Sequence, residues 1–91
     1  MSNCSVLNRL IIALKEFDKN DHPIAPLLKL FDLSIGAIEN IPYSEIDEHG
    51  YRFRFDLEHQ HYLMSEGFET KLDDIIQKTI IWLEFLLEKY P

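Results

Sequence analysis

The chain holds a single cysteine, Cys4, among its 91 residues. One thiol closes no internal disulfide, so nothing in the sequence points to an oxidising compartment. Long apolar runs are missing too: none approaches the roughly 18 residues that mark a membrane-spanning helix. Positive charge is scarce. Nine Lys and Arg stand against sixteen Asp and Glu, a formal net charge of −7. Nucleic-acid binders and proteins that sit on anionic membranes carry the opposite balance, so neither kind of partner is expected. No basic segment followed by an apolar stretch stands at the first residues, and a cytoplasmic location, as in a bacterial cytosol, is the expectation. The glycines Gly36, Gly50 and Gly67 are isolated. They form no phosphate cradle, and no HExxH or GxSxG pattern occurs.

What the chain does have is enough apolar surface to fold. Hydrophobic residues make up 46% and aromatics 12%, which argues against disorder. Residues 1–91 are read as a single domain with a thin core, burying about 60–65% of the surface that the unfolded chain exposes.

Two N-terminal segments read as helices. Leu7, Leu10, Ile11, Leu14 and Phe17 recur at helical spacing over about 5–18, with Asn3 and Ser5 as candidate caps, until Lys19, Asn20 and Asp21 break the pattern. A second stripe of Ile24, Leu27, Leu28, Phe31, Ile35 and Ile38 starts at Pro23. It reads either as one helix to about Asn40 or as two, with Ser34 capping the second. The middle changes period. Tyr51, Phe53, Phe55 and Leu57 alternate with Arg52, Arg54, Asp56 and Glu58, the pattern of a half-buried strand. Asp47-Glu48-His49-Gly50 reads as a turn ahead of it. The expectation is an antiparallel hairpin over about 51–65, with a weaker candidate strand at 42–46; a helix through 54–66 is the competing reading. The last segment, 70–90, reads as a long helix capped by Thr70 with Asp73 as its partner. Together these predict an α+β fold, helices packed on one side of a small antiparallel sheet.

Candidate chemistry is sparse. His59-x-His61 on one strand face, completed by His49 or an acid, is the nearest approach to a metal site, and solvated turn histidines are the plainer reading. Cys4 lies near a helix start but has no catalytic companions, and His22 stands alone. The acid pairs Asp47/Glu48 and Asp73/Asp74 fall in an expected turn and on a polar helix face, so no general acid–base pair is assigned. Arg52 and Arg54 face outward on the expected strand, and pairing with neighbouring acids is the plainer account of both. No catalytic residue, metal ligand or cofactor is assigned, and an enzyme is not expected.

Two features stand out. Residues 39–74 hold ten acids and three bases, which accounts for the whole net charge of −7. Such a stretch is either a solvated acidic surface that aids solubility or a docking face for a basic protein. Tyr43, Glu45, Asp47, Glu48, Tyr51, Asp56 and Glu58 are the candidate contacts. The second feature is Ile81 and Phe85, i, i+4 neighbours outside the core stripe of the last helix and a candidate dimer contact. The leading functional expectation is a non-enzymatic protein-binding module of the inhibitor or immunity type, docking a basic partner such as a toxin nuclease. A homodimer through the last helix is the first alternative. A small metal binder or enzyme using His59 and His61 is the second.

Overall fold

The leucine-rich stripe of the first segment needs a partner on one side only, and a helix is the backbone that puts 7, 10, 11 and 14 on one side. In the computed structural model, which describes residues 2–18 and 23–90, this segment is helix α1, Asn3–Glu16. The break expected at Lys19, Asn20 and Asp21 lies outside the described residues, as does His22. Three further helices follow: α2 at Ala25–Ala37, α3 at Tyr43–Ser65 and α4 at Leu72–Lys89. Among the described residues there is no strand.

The α+β expectation is therefore corrected to an all-helical fold. The expected hairpin at 51–65, the strand at 42–46 apart from Pro42, which precedes the helix, and the turn between them are one 23-residue helix. The alternation of Tyr51, Phe53, Phe55 and Leu57 does not reflect a sheet face. In the helix, Leu57 is buried and Phe53 packs against the core, while Tyr51 and Phe55 face solvent. A second period was present in the same residues: Ile46, Gly50, Phe53, Leu57, His61 and Met64 follow one another by three or four. Composition agrees with the helix, because Ile46 is the one β-branched residue between 43 and 65. Its three Glu, two Arg, two Leu and one Gln lose little on entering a helix, and its five Tyr and Phe are the residues that favour a strand.

The ends of the helices fit their local chemistry. Ser2, not Asn3 or Ser5, caps α1, its Oγ accepting from the Ser5 amide at 3.2 Å. Pro26 sits in the first turn of α2, which runs unbroken past Ser34 as a single helix. Asn40 turns the chain toward α3 with φ +62, a conformation that Asn tolerates better than most residues. Gly67 ends α3 at φ +87. There the Gly67 amide bonds Met64 O at 3.0 Å and the Phe68 amide bonds Leu63 O at 3.0 Å, the paired closure that favours glycine. At the start of α4, Lys71 occupies the capping position expected for Thr70, and its amide donates to Gln60 Oε1 of α3 at 2.9 Å.

The helices alternate in direction and form a ring in which α1 lies against α2 and α4, and α3 lies against the same two. Asn3 ties three helix ends together. Its side chain donates to Glu39 O at 2.6 Å and accepts from the Glu39 amide at 2.8 Å, and it lies 3.5 Å from Tyr90 O. The core is built mostly from α1 (Leu7, Leu10, Ile11, Leu14) and α4 (Leu72, Ile76, Ile80, Trp82, Leu83, Leu86), with Leu27, Leu28 and Phe31 from α2. From α3, only Leu57 and Gly50 are fully buried. At 1.5 Å per residue α3 is about 34 Å long against about 20 Å for α2. The longest helix is thus the one least enclosed. No helix among the described residues is long and apolar enough to cross a membrane.

Candidate functional site

A helix advances about 100° per residue, so residues four apart drift slowly round it and make a ridge. Along the solvent side of α3 that ridge is Tyr43, Asp47, Tyr51, Phe55 and His59. Glu48 and Glu58 flank it, and Tyr62 continues it one turn further. The aromatics are open to water: Tyr43 is 71% exposed, Tyr51 and Phe55 are each 65%, and Tyr62 is 59%. Phe55 and His59 stack with centroids 5.7 Å apart and planes 7° from parallel. The Asp47 carboxylate, and after it Tyr51, hold the Tyr43 phenol above its ordinary pKa, as expected where the ridge concentrates negative charge.

The structure brings together five of the seven expected contacts, Tyr43, Asp47, Glu48, Tyr51 and Glu58, and separates two. Glu45 lies on the α4 side, where Lys89 Nζ donates to its Oε1 at 2.8 Å. That hydrogen bond is the main reason the Glu45 carboxyl stays below its usual range and the Lys89 ammonium above its own. Asp56, only partly exposed, lies on the same side of α3 as Glu45. Phe55 and Tyr62 were missed because a strand reading turns them toward a core; the i, i+4 step from Tyr51 to Phe55 was the signal that places them.

Beside the ridge, α2 and α3 leave a groove of about 390 Å³. Phe31, Ile35 and Ile46 line it, with Gly36 and Gly50 on opposite helices and Tyr51 at its edge. Its polar wall is an ion-pair chain: Arg54 Nε donates to Asp32 Oδ1 at 2.8 Å and Nη1 to Glu58 Oε2 at 3.2 Å. The bond to Asp32 is the largest cause of the raised Arg54 pKa. Arg54 is thus engaged with acids across α2 and within α3, not across a hairpin.

The other candidates disperse. His59 and His61, two apart on a helix, point about 200° apart: His59 lies on Phe55 and His61 lies 6.2 Å from the Phe17 ring. His49 faces Trp82 at 6.3 Å. Among the described residues no three His, Cys, Asp or Glu side chains gather as a metal site. Cys4 is exposed and its Sγ accepts from Asn8 Nδ2 at 3.3 Å. Asp74 pairs with Lys78 at 3.1 Å, and Asp73 shares the first turn of α4, where acids suit the helix dipole. Ile81 is 64% and Phe85 50% exposed, and Lys89 Nζ stands 5.5 Å over the Phe85 ring.

No protein family, curated protein or solved structure matches the chain, and the immunity-type form of the expected function draws no support from these comparisons.

Proposed function

We propose that the chain is a protein-binding module that docks a basic partner on the outer face of α3. The observation that carries this is the coincidence of four exposed aromatics with Asp47, Glu48 and Glu58 on one face of the helix least used by the core. Those aromatics belong neither to the core nor to the residues packed against it. Exposed Tyr and Phe beside an excess of acids over Arg52 and Arg54 are what a recognition surface uses: rigid apolar area to anchor a partner, and a field to steer it.

The test is a pull-down from the native host with the wild-type chain, a Tyr51→Ala/Phe55→Ala variant and an Asp47→Lys/Glu48→Lys variant. The expected result is a basic protein captured by the wild type, lost by the aromatic variant and captured less by the charge variant at low salt. Its association should slow most with the charge variant at low salt and least at high salt. Equal capture by all three refutes the reading.

The exposed pair Ile81 and Phe85 favours a second reading, self-association through α4. Light scattering at micromolar concentration tests it: a dimer that Phe85→Lys dissolves supports it, and a monomeric wild type removes it.

A further inference from the structure

We propose that the groove between α2 and α3 receives a large apolar side chain, flanked by basic residues, from the partner that docks on the outer face of α3. The proposal rests on that docking reading and adds the anchor point to it.

Three observations lead there. The first is the pair of glycines. Gly50 lies inside α3 and Gly36 in the last turn of α2, neither at positive φ, and in a helix interior glycine is a weaker choice than alanine. A Cβ at Gly36 meets nothing within 4 Å, and one at Gly50 meets Trp82 Cη2 at 3.5 Å, an ordinary contact. What the two positions share is the groove of about 390 Å³ that they line. At Gly36 the missing side chain leaves open space beside the groove, whereas a Cβ at Gly50 would turn to Trp82; close approach to a ligand is a recognised use of glycine.

The second is the charge of its wall. Asp32 and Glu58 share one guanidinium, that of Arg54. Within the lining Asp32 and Arg54 balance, and the surplus is outside it: Glu58 takes the other side of the same guanidinium, and Asp47 and Glu48 lie further along α3, so the rim of the groove is net negative. The acids of the rim disfavour a phosphate or carboxylate ligand, and the net charge of −7 disfavours a second copy of the chain. An apolar group between Lys or Arg residues matches both the lining and the field.

The third is continuity. Tyr51 lines the groove and also stands in the exposed ridge. A partner seated on Tyr51 and Phe55 therefore passes over the groove mouth. That geometry suits a protein segment spanning both features rather than a free small molecule held in one.

The test uses a random dodecapeptide library displayed on phage and selected on the full chain. Enriched peptides are synthesised and titrated against ¹⁵N-labelled protein and by the fluorescence of Trp82, the one tryptophan. The expected hits carry Trp, Phe or Leu between Lys or Arg and shift the amide signals of Gly36 and Gly50. Gly36→Leu, which fills the groove from open space, should weaken their binding at least about tenfold, as loss of a buried anchor does, with helix content unchanged. Asp47→Lys/Glu48→Lys should slow association at low salt alone. If Gly36→Leu binds the hits like wild type while the charge variant associates more slowly at low salt, the groove is overturned and the docking reading stands. Hits without basic residues, no hits, or no effect of either variant overturn both. Should Gly36→Leu not fold, the wild-type amide map decides: shifts confined to α3 outside the groove refute the anchor.

Discussion

Gly50→Ala distinguishes the helix at 43–65 from the hairpin that its residues also suggest, because the two give opposite signs. In the structure Gly50 lies inside α3 with its Cα facing Trp82. Alanine in a helix interior is better than glycine by about 1 kcal/mol, mostly because the unfolded chain loses fewer states. The added methyl would stand 3.5 Å from Trp82 Cη2 and 3.7 Å from Ile46 Cγ2, both ordinary contact distances, so it packs without displacing either. Its burial contributes some part of the roughly 0.8 kcal/mol that a buried CH₂ is worth. The expected gain is about 1–1.5 kcal/mol, which for a domain of this size raises Tm by about 4–12 °C. Thermal and urea unfolding followed by far-UV circular dichroism and by Trp82 fluorescence measure it, and the two probes should coincide. Gly67→Ala is the paired control. At φ +87 a Cβ is strained, and this substitution should cost about 1 kcal/mol. A fall in Tm for Gly50→Ala, comparable to that of Gly67→Ala, would refute the continuous helix, since it is what a turn glycine at positive φ gives.

Leu57→Ala removes the one fully buried large side chain of α3; it should cost about 2–5 kcal/mol in a urea titration, and a cost near zero means α3 is not packed on the core. Arg54→Ala breaks the pairs to Asp32 and Glu58, whose groups are partly solvent-exposed, so the expected loss is under about 1 kcal/mol and should vanish in high salt. Glu45 has a folded-state pKa below its unfolded value, so its contribution is present above about pH 4.3 and is lost as pH falls through the lower folded value. Lys89 is raised, so its contribution is complete below about pH 10.4 and is lost as pH climbs through the higher folded value. Urea midpoints against pH should therefore fall more steeply at both ends for wild type than for Glu45→Gln, and parallel curves contradict the pair.

The sequence alone determined the helices whose apolar residues had one consistent period. In α1 and α4 the stripes of leucine and isoleucine fit no strand, and in both the expected limits lie within a few residues of those observed. It also located the charge, because the ten acids of 39–74 are local in the chain whatever the backbone does. It did not determine the middle. There, two periods overlap: Tyr51, Phe53, Phe55 and Leu57 alternate, while Ile46, Gly50, Phe53, Leu57, His61 and Met64 step by three and four. Local pattern cannot choose between them when a glycine, a histidine and several exposed aromatics blur both. The choice was made by what the other three helices left open: one long apolar seam between α2 and α4, which Phe53 and Leu57 fill together from a helix, with Phe53 set 5.4 Å from the Trp82 ring. The same packing decided which residues of the acidic stretch share a face. Tyr51, Phe55, Asp47 and Glu48 turn outward and Glu45 turns to Lys89, because a helix divides its residues by angle round its axis and not by odd and even number.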